Sequence, residues 1–361
     1  MSDPVVSQDI KAAYHLVTLK NIAVIVVLIV LAVVLAIFSC TVNTGVDFQS
    51  SCRILYTHLT GGSFEPWTPD WFYDYYIWNT IVPSVMMAMV AGVALASAGA
   101  AMQAITANPL ADAYTTGISS GACLGAVSAI IVGSTFSAFT GQYGLVSMAF
   151  LGGLIPAFIV IALSRYLGNS PATLILLGVA VSYFFNGLTT FLMITTNTDS
   201  LQSAYLWQIG SVTRAGWDGV NFVGAISLVA VVVFMLLSGK FNLLTLGDSG
   251  AKSLGLNVGQ FRFIVLIMIA FFVSAIIAFT GILGFVGLVS PHIARFLVGD
   301  NNKFVIPASM AIASLMLTVA NIVSRYLLDV AAVPVGIVLS FIGAPIFLYL
   351  IVRKKSRQVI Y

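Results

Sequence analysis

The run FIVLIMIAFFVSAIIAFTGILGFVGLVSPHIA, residues 263–294, decides the fold, because no charged side chain interrupts it between Arg262 and Arg295. A straight helix crosses a hydrocarbon core of about 30 Å with about 20 residues at roughly 1.5 Å each, so this run is too long for one span. Gly281, Gly284 and Gly287 fall where it must break. It therefore reads as two short membrane helices in succession.

Outward from it, apolar runs recur at 21–39, 79–104, 113–134, 144–164, 171–194, 218–238, 304–327 and 334–352, with charge only near an end, at Asp218 and Arg325. With the broken run these make ten spans. The composition agrees: of 361 residues, 60% are hydrophobic and 7% charged, against about 45–50% and about 25% in soluble domains. A soluble enzyme and a DNA-binding protein are excluded. The net charge of +3 comes from basic residues beside apolar runs and forms no basic face, so no nucleic-acid partner is expected. The fold class is an all-α polytopic membrane protein, one transmembrane domain over 1–361.

The positive-inside rule places Lys and Arg of short loops in the cytoplasm. Lys11 and Lys20 precede the first span, and Arg353, Lys354, Lys355 and Arg357 follow the last. Both termini are then cytoplasmic and the span number even, with tails over 1–20 and 353–361 and spans over about 21–352. In that topology Arg165, Lys240, Lys252, Arg262, Arg295 and Lys303 also lie inside, leaving Arg53, Arg214 and Arg325 outside. The first span is too long for a cleaved signal peptide and reads as a retained helix.

The largest outward loop, 40–78, carries Phe64, Trp67, Trp71, Phe72, Tyr73, Tyr75, Tyr76 and Trp78. Such a cluster reads as an interfacial aromatic belt or as a docking surface for an external partner. Cys40 and Cys52 share this loop. In an oxidising compartment they are a candidate disulfide, with two free thiols as the alternative. Cys123 falls within a span and reads as a packing residue.

All twelve acidic residues fall in loops, tails or span ends, so no mid-membrane carboxylate of the kind a proton-coupled transporter uses is expected. The three histidines, His15, His58 and His292, form no metal-spaced cluster. A phosphate-cradling glycine loop is missing too, so a nucleotide-driven process would need its ATPase on another subunit. No cofactor or metal is expected on this chain, and no catalysis.

Three inner segments stand out. One is Asn108-Pro109-Leu110-Ala111-Asp112 running into Gly117-Ile118-Ser119-Ser120-Gly121-Ala122. Another is Leu246-Gly247-Asp248-Ser249-Gly250-Ala251-Lys252-Ser253-Leu254-Gly255, within the loop 241–262, which predicts a short helix ending at Gly255. The third is Gly284-Phe285-Val286-Gly287-Leu288-Val289-Ser290-Pro291-His292-Ile293-Ala294-Arg295. Together with Pro334-Val335-Gly336-Ile337 and Gly343-Ala344-Pro345-Ile346-Phe347, in this order, they resemble the FecCD family of permease subunits from ATP-binding-cassette importers, over about residues 79–353.

The resemblance implies a type II ABC importer permease fold of ten helices in a prokaryotic cytoplasmic membrane. It implies a homodimer with the path along its axis, two ATPase subunits that bind ATP and Mg, and an external substrate-binding protein. The cargo would be an iron-siderophore first, then haem, then cobalamin. It makes Leu246, Gly247, Asp248, Ala251, Leu254 and Gly255 the segment that couples to the ATPase, and Asn108, Pro109 and Leu110 the cytoplasmic gate. It also makes Arg325 a docking residue for the binding protein; by position alone Arg325 could equally pair with Asp329 at i,i+4. One departure is plain: relatives often carry Arg-x-Pro-Arg at the start of span two, where this chain has Ile81-Val82-Pro83-Ser84. The competing class is an ion-gradient-driven secondary transporter, whose sodium site could be built from carbonyls and hydroxyls.

Overall fold

The computed structural model describes residues 4–135, 142–168, 170–327 and 333–358. Among the described residues the regular elements are all helical. They are α1 (Pro4–Thr41), α2 (Phe48–Leu59), α3 (Pro69–Tyr76), α4 (Val82–Thr106), α5 (Ile118–Thr135), α6 (Gln142–Tyr166), α7 (Pro171–Ile194), α8 (Thr198–Gln208), α9 (Gly216–Leu244), α10 (Gly247–Ser253), α11 (Val258–Thr280), α12 (Val286–Val298), α13 (Asn302–Tyr326) and α14 (Val335–Gln358). Among the described residues seven helices are long and apolar enough to cross a membrane: α1, the continuous unit Pro69–Thr106, α6, α7, α9, α11 and α13. Three shorter apolar helices lie in α5, α12 and α14. The chain is a multi-pass membrane protein, with these helices in the order the sequence predicts.

The long uncharged run does break, but over 281–285, where Gly281 and Phe285 take left-handed φ of 68° and 67°. Gly287 lies inside α12, so its role is packing. At 13 residues, α12 is about 20 Å long and cannot cross a 30 Å core unaided. The backbone is helical from Pro4, inside what was expected to be a tail. α2, α3 and α8 emerge from stretches expected to be loops. Each starts on a side-chain cap: Asp47 accepts from Ser50 N, Thr68 from Trp71 N and Asn197 from Ser200 N.

α4 is the central element. Ala and Gly occur around its whole circumference, so no face is reserved for lipid, and Ala91, Ala94, Ala98 and Ala101 are fully buried. Small side chains let neighbouring backbones approach closely, and hydroxyls supply the bonds between helices. Ser227 of α9 donates to Val90 O at 3.0 Å, and Ser314 of α13 to Met89 O at 3.1 Å. A Cβ on Gly99 would lie 2.0 Å from Gly287 O, so α4 and α12 cross backbone to backbone. One π-helical turn, Ile77–Ile81, precedes Pro83 and takes up the helix bond that proline cannot donate. α1, α7 and α9 keep most of their apolar surface exposed and form the periphery.

Candidate coupling and gating site

α10 is a seven-residue helix between two left-handed glycines, Gly247 at φ 78° and Gly255 at φ 85°. Its C-terminus closes with Leu256 N on Ala251 O at 3.1 Å and Gly255 N on Lys252 O at 2.9 Å, the pattern of a glycine-terminated helix. Ala251 is fully buried and anchors the element. Leu246 and Leu254, at its two ends, are each 60% exposed.

The turn after α4 is built from its own residues. Ala107 adopts φ 47°, ψ 33°, and Asn108 N donates back to Gln103 O at 3.2 Å. The Asn108 side chain then accepts from Leu110 N at 2.9 Å and fixes the turn. Leu110 projects from the turn, about half exposed. Gln103, Asn108, Pro109, Gly247 and Arg295 line one cleft of about 420 Å³, so the structure brings the two predicted segments to one face of the molecule.

Their connection is a residue that the sequence reading treated only as a topology marker. Arg262 of α11 is 4% exposed. Nη1 and Nη2 donate to Asp248 Oδ2 and Oδ1, each at 2.7 Å, in a two-pronged pair. Nε donates to Ile105 O, also at 2.7 Å. That carbonyl belongs to the last turn of α4, where helices leave acceptors without partners and a cation is favoured. The hydrogen bonds from Arg262 hold the Asp248 carboxyl below the usual carboxylate range. On the same turn, Gln103 accepts from Arg295 and donates to Leu288 O of α12 at 3.2 Å.

One expectation needs correction, one open alternative is decided, and one loop acid lies deeper than expected. Arg325 is 9% exposed, and its guanidinium donates to Ser39 O at 2.8 Å, Ser39 Oγ at 2.6 Å and Val42 O at 3.2 Å. It caps the C-terminus of α1 and presents no free charge for docking; Asp329 lies outside the described residues. Cys40 and Cys52 are both free thiols. Cys40 packs among Ala36, Ile81 and Val85 at the end of α1. Asp112 does stand in the loop that leads into α5, as expected, but that loop is packed inside the helices. Its Oδ1 accepts from Ala113 N at 2.7 Å and lies 2.8 Å from where a Cβ on Gly287 would stand, a point 3.0 Å from Leu95 O. Leu95 and Gly99 are well inside α4, so this carboxylate sits on the order of 10 Å within the helical layer.

The FecCD transport family model matches residues 25–353. The chain belongs to the FecCD transport family. The permease is 33% identical over 356 residues to a protein of Methanocaldococcus jannaschii described as an ABC transporter permease, covering 97% of this chain and 99% of the other. It is 33% identical to the hemin transport system permease of Yersinia pestis, over 79% of this chain and 85% of that one. Against the cobalamin import system permease of Halobacterium salinarum the figures are 33%, 77% and 73%. A solved metal-chelate type ABC transporter in an inward-facing conformation matches with a TM-score of 0.76 at 28% identity, covering 89% of this chain and 97% of the other.

Proposed function

We propose that this permease is the membrane subunit of an ATP-driven importer that carries a bulky metal chelate: an iron-siderophore, haem or a corrinoid. The carrying observation is a match to the FecCD transport family along nearly the whole chain, with α10 offering Leu246 and Leu254 on the face that holds the Asn108–Leu110 turn. In this reading the α10 face is cytoplasmic, as are both termini. Two ATPase subunits bind ATP and Mg and press on α10. Their closure biases the permease between two states, and the turn with Leu110 at its tip shuts the path by apolar occlusion. Large apolar side chains exposed on α7 and α14, Tyr183, Phe191 and Phe341 among them, suit burial by a second copy.

A binding protein delivers the chelate to the opposite face. With Arg325 buried and the Arg-x-Pro-Arg pattern absent, docking there falls to the aromatic α2–α3 platform. Trp67, Phe72 and Tyr75 stand exposed on it, and the Arg53–Asp70 pair at 2.7 Å braces it. The chain does no chemistry on its cargo. Purifying the tagged chain in mild detergent tests the reading: an ATPase subunit at two per two permeases is expected. Ion-driven uptake by the chain alone would overturn it.

A further inference from the structure

We infer that Arg262 is the transmission residue of this permease, a rigid link through which displacement of α10 moves the gate turn. The inference rests on the importer reading and says how its two working segments communicate.

Arg262 meets both segments with one planar group. Two guanidinium nitrogens grip both oxygens of Asp248, and the third donates to Ile105 O. A guanidinium is flat and its N–H directions are fixed, so the two partners cannot move independently of each other without breaking a charge-assisted bond. Arg262 itself is buried in α11, a mostly buried helix, and has little room to swing. Asp248 is the opposite: it stands in the first turn of a short surface helix, with its side chain 48% exposed. A push on α10 is therefore passed to Arg262 through a charge-assisted pair, beside the apolar anchor at Ala251.

At the far end, Ile105 lies in the last turn of α4, two residues before the left-handed Ala107 that starts the gate turn. The bonds that terminate the helix use Gln103 O and Ala104 O, leaving Ile105 O for Arg262. The cap is thus made by another element, the one that also holds α10. Losing it frees the last turn of α4, and with it the position of Asn108 and Leu110. Other helix-end arginines act inside a single region: Arg214 donates to Leu206 O and Trp207 O at the end of α8, and Arg325 caps α1. Arg262 alone among these three also reaches the predicted ATPase-contacting helix.

The test uses the complete complex in nanodiscs, with chelate uptake counted per ATP hydrolysed and hydrogen exchange followed in peptides covering 247–255 and 103–112. Asp248→Asn, Arg262→Gln and the double variant are compared with wild type, and Arg262→Lys serves if Arg262→Gln does not assemble. Each single variant should keep an ATP-dependent exchange change in α10. Each should lose the change at 103–112, with uptake per ATP falling roughly tenfold. The double variant should be no worse than the more impaired single one, because both break the same link. Unchanged uptake per ATP, a gate-turn response surviving in Arg262→Gln, or additive losses would overturn the relay. Failure of the wild-type chain to bind any ATPase would bring down the importer reading itself, and the relay with it.

Discussion

Replacing Gly99 with alanine puts a methyl group where the backbone of α12 already lies. The added Cβ would be 2.0 Å from Gly287 O and 2.6 Å from Gly287 C, whereas ordinary contact begins at 3.4 Å. The opposing atoms are main chain, which cannot rotate aside, so α4 and α12 must separate by about 1.4 Å in that direction. One turn further on, Gln103 Nε2 donates to Leu288 O at 3.2 Å, and the same displacement breaks that bond. Overpacking costs about 1–3 kcal/mol and the lost bond about 1 kcal/mol, against a helix-propensity gain of at most about 1 kcal/mol. The net destabilisation is therefore roughly 1–3 kcal/mol. Gly239→Ala in α9 is the control, since its Cβ meets no atom within 4 Å and only the propensity gain remains. Thermal unfolding in detergent, followed by tryptophan fluorescence, should show Gly99→Ala several degrees below wild type and Gly239→Ala level with it or above. Equal midpoints for the two variants would refute the backbone crossing as a source of stability.

Gly255→Val holds a β-branched residue at φ 85°, a strain of about 1–2 kcal/mol, although space around it is open. Membrane insertion should persist while uptake per ATP falls, and undiminished uptake would count against α10 as the coupling element. Arg325→Ala removes the cap of α1 and leaves Ser39 O and Val42 O without their donor, at about 1.5–3 kcal/mol for bonds to a charged group. Its signature should be a lower unfolding midpoint, with binding-protein affinity of the folded fraction unchanged; a normal midpoint with weakened affinity would restore docking to Arg325. Asp248 titrates below its unfolded value of about 3.9, so its pair with Arg262 is complete at neutral pH and is lost as pH falls through the folded value. Hydrogen exchange should show α10 loosening only below about pH 4 in wild type, while Asp248→Asn is loosened already at pH 7. A variant as protected as wild type at pH 7 would sink that assignment.

The membrane class and helix order were legible because lipid forces a long apolar run on each spanning helix, whatever its neighbours. The short helices were not. α2, α3 and α8 carry mixed sequences, and capping residues such as Asp47 and Asn197 mark loops as readily as helix starts. Arginines were the systematic misreading. Arg214, Arg262 and Arg325 were counted as topology charges, yet all three donate to carbonyls at helix ends, Arg214 to the helix just before it and Arg262 and Arg325 to helices distant in sequence. That pairing is set by tertiary contact, as in the 157 positions between Arg262 and Ile105, and no local period encodes it. The short helix α10 and the turn at 107–110 were legible as glycine and Asn-Pro punctuation; their joining through Arg262 was not.

Asp112 changes what the case against an ion-driven transporter can rest on. From the sequence, that case used the absence of a carboxylate at membrane depth, and the structure puts one against the first turn of α12, beside Leu95 and Gly99. The carboxylate caps the 3-10 turn Ala113–Thr116 by accepting from Ala113 N, and α4 and α12 enclose it beside the start of α12. That bond holds the turn, a task that needs the acceptor oxygen and not the charge. The argument against a proton-driven reading therefore passes from absence to the family match along residues 25–353. Asp112→Asn keeps the acceptor oxygen for Ala113 N and removes the charge, so the two readings part: ATP-driven uptake should survive it largely intact, whereas uptake driven by a proton gradient would stop.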